Sequence, residues 1–256
     1  MPDHPTTNEN RAPGDLTTTL LEDQLRYYRL GASEYHEANN DLLAATDPDG
    51  ASRRAGRQQA LAALAPAQGR RVLELAGGTG LYTRPLAVLA DRLTVVDASP
   101  ESLALNRSHL DPHTYVTFVA ADIFQWTPVE QYDVVVFAFW LSHVPLELFD
   151  RFWELVDSCL HDEGTVVVID ARAPRAAASL HQKETFFSEE RIDDGVVMRQ
   201  LGDGSRHRVV RVMWDPQELT ARLALSGWDA TFEDSSWLIG HVVREPPVAE
   251  AVRSDG

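Results

Sequence analysis

Cysteine is nearly absent from this chain: of 256 residues only Cys159 carries a thiol. One thiol makes no internal disulfide, so nothing in the composition asks for an oxidising compartment. Its neighbours Phe152, Trp153, Val156 and Leu160 fall on one helical face, which reads it as a buried, inert side chain and not a nucleophile. Long apolar runs are missing too. The longest, Val134 to Leu141, is far short of the roughly 20 residues of a membrane span. The opening MPDHPTTNENRAPGD has neither the basic nor the apolar segment of a signal peptide. Basic residues are scarce: 23 Lys and Arg stand against 39 Asp and Glu, a formal net charge of −16. So acidic a surface repels phosphate backbones and anionic lipid headgroups. The densest basic run, Arg199 with Arg206, Arg208 and Arg211, alternates as a strand does instead of forming a block. These shortages point to a soluble, cytoplasmic protein, monomer or homodimer, whose partner is a small-molecule substrate and neither nucleic acid nor membrane.

What is present is enough apolar sequence, 44%, to fill one large core. Residues 1–15, polar and carrying Pro2, Pro5 and Pro13, read as a mobile tail, and so do residues 245–256. Within 16–66 the spacing of Leu21, Leu25 and Tyr28 predicts a helix broken near Gly31, and a second helix covers about Ala51 to Ala65; together they form a helical lid. From 67 to 244 the pattern changes to short β-rich runs separated by helical stretches. Strands are expected at 71–75, 92–97, 115–120, 132–139 and 164–170, with a helix over about Leu146 to Leu160 between the last two. A further helix starts at Asp215-Pro216-Gln217-Glu218 and closes near Gly227. The runs WDATFED and SWLIGHVV then lie too close for a helical crossover, so they pair antiparallel. Between 171 and 214, VVMRQL and HRVVRVMW flank Gly202-Asp203-Gly204-Ser205 as a hairpin. The expected fold is α/β: a doubly wound, mostly parallel seven-stranded sheet with an antiparallel edge strand, an N-terminal helical lid and a hairpin insertion after strand five.

The chemistry concentrates at the strand ends. Val72-Leu73-Glu74-Leu75-Ala76-Gly77-Gly78-Thr79-Gly80 runs a strand into a glycine-rich turn, where backbone approaches a ligand without an intervening Cβ. The second strand ends in Asp97, an acid placed to take the two hydroxyls of a ribose. The third leads to Ala121-Asp122-Ile123, a carboxylate and an apolar side chain suited to an adenine. The fourth ends in Phe139-Trp140-Leu141-Ser142-His143 at the crevice mouth.

On these motifs the chain, from about Tyr27 to Val243, resembles the class I, Rossmann-like S-adenosylmethionine-dependent methyltransferases. ELAGGTG is similar to their acidic and glycine motif, with Ala76 in place of a more usual glycine; VVDAS is similar to the ribose motif and AADIF to the adenine motif. WLSHV resembles the Leu-His-His stretch of ubiquinone and menaquinone biosynthesis methyltransferases, with Ser142 replacing the first histidine, and YYRLGASEY resembles a tyrosine-bearing lid segment. The resemblance implies S-adenosylmethionine as cofactor, with Glu74 and Gly78 near its methionine part, Asp97 at the ribose, and Asp122 and Ile123 at the adenine. Ala76, Ala98, Phe139 and the lid residues Tyr28 and Tyr35 complete the expected cofactor contacts. The implied activity is methyl transfer to a small, partly apolar metabolite, with oxygen favoured over carbon or nitrogen.

Bland readings stand beside these. Asp97 reads also as a cap for the turn before Pro100, and Asp122 as a loop cap. Glu74, flanked by apolar neighbours, costs several kcal/mol to bury unless satisfied, which favours a function. His143, with an ordinary pKa of about 6.5, is placed to serve as a general base, or merely caps or packs. Tyr27, Tyr28, Tyr35, Trp140, Phe186, Phe187 and Trp214 suit an aromatic pocket or simply the core. Carboxylates that would hold a hard cation are missing after strand four, so no metal is expected. Two other functions remain: a nicotinamide oxidoreductase, against which Thr83 stands where G-x-G-x-x-G wants its last glycine, and a cofactor-binding protein without turnover.

Overall fold

The computed structural model describes residues 13–37, 48–112, 114–173, 189–193 and 195–245; the expected tails and Phe186 and Phe187 lie outside them in whole or part. Parallel strands buried on both faces need continuous apolar runs, and the chain supplies them: β1 (Arg71–Leu75), β2 (Arg92–Asp97), β3 (Val116–Ala120), β4 (Tyr132–Ala138) and β5 (Leu160–Ala171). With β9 (Trp228–Phe232) and β10 (Trp237–Arg244) they make one seven-stranded sheet, ordered β3-β2-β1-β4-β5-β10-β9. The pairs from β3 to β5 are parallel; β10 runs antiparallel between β5 and β9, so the antiparallel pairing sits at that edge.

Alternation along the strands divides the core between the two faces. Leu73, Leu75, Val135 and Phe137 face Phe152, Trp153 and Val156 of α5 (Phe149–Cys159) and Leu219 and Leu223 of α6 (Pro216–Ala224). Val72, Val95, Val134 and Val136 face Ala60 of α2 (Pro48–Ala62), Leu86 of α3 (Thr83–Leu89) and Leu103 of α4 (Pro100–Ser108). Glu74 falls in register with Val72, so its carboxyl enters the second layer. Burial pushes the Cys159 thiol up to about 12, in keeping with a packed and inert group. Proline at the first helical position follows an oxygen cap twice: Ser99 accepts from the Ser102 amide before α4, and Asp215 from the Gln217 amide before α6.

The helix expected from the spacing of Leu21, Leu25 and Tyr28 is α1 (Pro13–Leu30), broken at Gly31 and followed by a helical turn at 32–37. The 171–214 insertion is more than a hairpin: β6 (Glu189–Asp193), β7 (Val196–Gln200) and β8 (Arg206–Val210) form a separate antiparallel sheet. Tyr27 of α1 shares a small core with Val197, Leu201 and Val209, so α1 and this sheet form one cap over the carboxyl ends of the parallel strands. Among the described residues no helix is long and apolar enough to cross a membrane.

Candidate active site

Where the strand order reverses, between β2-β1 and β4, the carboxyl ends of the strands and the cap enclose a cavity of about 1150 Å³. Pockets for one drug-sized ligand run from about 300 to 1000 Å³, so there is room for a cofactor and an acceptor together. Every residue singled out for the cofactor lies on its wall: Tyr28, Tyr35, Glu74, Ala76, Gly78, Asp97, Ala98, Asp122, Ile123 and Phe139, joined by His143.

The glycine turn explains itself residue by residue. A Cβ on Gly77 would sit 2.3 Å from Val95 Cγ1, so packing against β2 excludes one. Gly78 has φ +51°, and a Cβ there would meet nothing nearer than 4.0 Å, which leaves its cavity side open. Ala76 also adopts φ +54°, the left-handed region, which is why glycine is more usual at its place. Asp97 combines its two readings: Oδ2 accepts the Gly78 amide at 2.8 Å and Oδ1 the Ser99 amide at 2.8 Å. Each oxygen keeps further accepting capacity, and the residue lines the cavity. Asp122 likewise caps its loop, accepting from the Phe124 amide and the Gln125 side chain, while it lines the wall.

Glu74 is buried, and its Oε2 accepts from Thr83 Oγ at 2.5 Å; Asn106 in turn donates to Thr83 Oγ and to the Gly78 carbonyl. Burial raises the Glu74 pKa to about 8, more than the Thr83 bond lowers it, with nearby Asp97 adding to the rise. Burial also raises Asp97.

His143 departs from the expectation of a base titrating near neutrality. It is 4% exposed, and burial followed by the charges of Arg199 and Arg211 holds its pKa well below 6.5. Its Nδ1 lies 2.7 Å from the Val210 carbonyl and its Nε2 2.9 Å from the Tyr28 hydroxyl. Arg199 donates to the same hydroxyl at 3.1 Å. Tyr28 and the imidazole thus meet on the cavity wall, with the phenol hydroxyl on Nε2. Sequence reasoning missed Arg199 here, and also Gln24, a polar side chain beside the Leu21–Leu25–Tyr28 stripe. Gln24 donates to the His143 carbonyl and accepts from the Val210 amide. A glutamine at a stripe position that turns out buried was the available signal.

On the cap, Ser205, His207 and Asp23 align at 3.2 and 3.0 Å like a nucleophile, base and acid. The amides of Gly204 and Ser205, the nearest candidates for an oxyanion donor, are spent on the Leu201 carbonyl and Asp203, and the alignment ties β8 to α1. Among the described residues no group of three or more His, Cys, Asp or Glu side chains is placed to hold a metal.

The profile of the family described as "Methyltransferase domain" matches residues 72–164. The solved structure of DhpI in complex with SAH is 37% identical and covers 89% of this chain and 98% of its own, at a TM-score of 0.69. The chain belongs to the class I S-adenosylmethionine-dependent methyltransferases. A second solved structure, the DhpI–SAM–HEP complex, is 36% identical over 91% of this chain and 99% of that one, at a TM-score of 0.70. The Nodulation protein S of Rhizobium tropici is 31% identical over 114 residues, 43% of this chain and 48% of that protein. The chain thus spans about half the length of the curated relatives it matches. The cofactor is S-adenosylmethionine, and the residues present fit it: an open glycine cradle, a buried carboxyl at Glu74, and carboxylates at Asp97 and Asp122 with spare lone pairs. The nicotinamide reading finds no support in these likenesses.

Proposed function

We propose that this protein transfers a methyl group to an oxygen of a small, partly apolar acceptor, and that this oxygen enters the site already ionised, as in a carboxylate. When bound, the cofactor supplies a methyl activated by its sulfonium, displaced in line by the nucleophile. The chain's own part is to hold the two partners about 3 Å apart, exclude water and set the charge around the acceptor.

One observation carries the ionised acceptor: His143, the histidine among the described lining residues, has both ring nitrogens engaged, by Val210 and by Tyr28. Taking the acceptor's proton through Tyr28 would charge a buried imidazole whose pKa is already depressed, next to two arginines. Their positive field disfavours that proton and favours an anion in the same place. Leu20, Leu21, Leu25, Val196 and Val212 line the wall nearby and suit the apolar part of the acceptor. The likeness to DhpI, solved with SAM and HEP, makes HEP the first compound to offer.

The test is incubation with methyl-labelled S-adenosylmethionine and, separately, HEP and a series of small carboxylic acids, with products resolved by mass and by NMR of the methyl. Label on an acid oxygen is the expected result. Label on nitrogen or carbon, or on a neutral hydroxyl in preference to every acid, would overturn it.

A further inference from the structure

Ser142 replaces a histidine of the related pattern, and the reading above gives it no work. Yet this residue, 1% exposed, is gripped at every polar atom. Its amide donates to Asp170 Oδ2 at 2.9 Å, its carbonyl accepts the Val212 amide at 2.8 Å, and its Oγ accepts from Arg211 Nη1 at 3.2 Å. Asp170, the penultimate residue of β5, is 1% exposed and is not on the cavity wall. A buried carboxylate is costly, and this one is answered by the Ser142 amide and by the Ala171 amide at 2.6 Å. Arg211 bears on it across the Ser142 hydroxyl and forms no ion pair within 4 Å among the described residues. The turn that carries Ser142 is a single 3-10 turn, Leu141–His143, with little hydrogen bonding of its own. Three consecutive cap residues hold it from outside: Val210 through the His143 ring, Arg211 through its side chain, and Val212 through its amide.

We infer that Asp170, Ser142 and Arg211 are positioning residues for methyl transfer: they fix the Leu141–His143 turn between the sheet and the cap, and so fix His143 and, through it, the Tyr28 hydroxyl at the acceptor end of the cavity. This rests on the reading of Tyr28 and His143 as the acceptor wall. None of the three has a partner in the glycine turn or at Asp97, so their loss changes the acceptor end and spares the cofactor end. Of the three, Asp170 is the anchor on the sheet, Arg211 bonds from the cap, and Ser142 is the joint through which cap and sheet meet.

The test uses the full chain with ¹⁵N-labelled histidine, whose nine side chains are resolved by ring-nitrogen NMR, His143 being assigned from the signal lost in His143→Gln. Ser142→Ala and Asp170→Asn are compared with wild type, and S-adenosylhomocysteine affinity is measured by calorimetry on the same samples. Wild type is expected to show a neutral His143 protonated at Nδ1. Both variants are expected to shift or broaden that signal while binding S-adenosylhomocysteine within about twofold of wild type. An unchanged His143 signal in both would overturn the inference. So would a shift accompanied by loss of S-adenosylhomocysteine binding, which would mean a general structural role. Where Asp170→Asn gives no folded protein, Ser142→Ala, a small buried change, decides alone. Methyl transfer to HEP and to the carboxylic acids is the separate arm: a wild type that leaves all of them unmethylated overturns the acceptor reading, whereas the ring-nitrogen signals still judge the positioning of the Leu141–His143 turn. With turnover present, Asp170→Asn is expected to lower kcat at least tenfold.

Discussion

The Tyr28 hydroxyl lies 2.9 Å from Nε2 of His143, and Nδ1 of the same ring lies 2.7 Å from the Val210 carbonyl. A carbonyl only accepts, so the proton resides on Nδ1; Nε2 is bare and takes the Tyr28 hydrogen. The imidazole is thereby an orienting acceptor for a phenol, across two elements 115 residues apart in sequence.

The pH dependence of turnover should show this. Because the folded pKa of His143 is depressed, the ring stays neutral as pH falls through 6.5 and charges only well below it. The rate should show no limb between pH 6 and 7 attributable to this residue. Tyr28→Phe, which removes one hydrogen bond and keeps the ring, should lower kcat by about tenfold, the scale of one net hydrogen bond. A wild-type limb near pH 6.5 that disappears in His143→Gln would restore the base and remove the orienting role.

Asp97→Ala should weaken S-adenosylhomocysteine binding by about 2 to 3 kcal/mol, because hydrogen bonds to a charged group in a sheltered crevice are lost. The Gly78 amide loses its 2.8 Å acceptor in the same variant, so the glycine turn loosens as well. Calorimetry measures the affinity, and circular dichroism shows whether the sheet persists. Wild-type affinity would place the ribose elsewhere.

Ala76→Gly should raise stability by about 0.5 to 1 kcal/mol. Ala76 holds φ +54°, which costs an L-residue roughly 1 to 2 kcal/mol, while glycine takes back part of the gain through the freedom of its unfolded chain. Urea denaturation at constant m-value reads the difference. An unchanged or lowered midpoint would show that this backbone is not strained.

The parallel sheet was legible because strands buried on both faces are written as short continuous apolar runs, and each motif stood at the end of one. The residues expected at the cofactor come together on the cavity wall for the same reason: the glycine turn, Asp97 and Asp122 are all local to a strand and its next loop. The polar cluster around His143 was not legible, because it is assembled over long separations. Gln24 reaches Val210 across 186 residues, and Arg199 reaches Tyr28 across 171. No local period signals such pairs. The surroundings of His143 were not legible for a related reason. An ordinary imidazole pKa describes solvent, whereas the cap buries this ring and brings two arginines to it. Similarly, residues 189–210 read as a hairpin because the third strand, β6, has a charged sequence, EERID, without the alternation that marks a half-buried strand.

The last prediction concerns Glu74. Its folded pKa is raised from 4.5 to about 8, chiefly by burial, so between those values the folded chain holds a proton that the unfolded chain has released. Stability therefore falls as pH rises through that window, by up to about 1.4 kcal/mol per pH unit, and levels off above about 8. Asp97 and Asp170, also raised by burial, act with the same sign, whereas His143, lowered by burial, adds stability as pH rises toward 6.5. The raw profile mixes these, so the informative quantity is the difference between wild type and Glu74→Gln. Glutamine retains a carbonyl oxygen for the Thr83 hydroxyl and has no proton to lose. Below about pH 4.5 the two proteins should differ little with pH. From pH 5 to 8 the variant should gain steadily on wild type, and above 8 the gap should be constant. Urea unfolding at half-unit pH steps measures it. A gap that stays flat from pH 5 to 8 would mean that Glu74 is ionised in the folded protein, with a cation or solvent answering its charge.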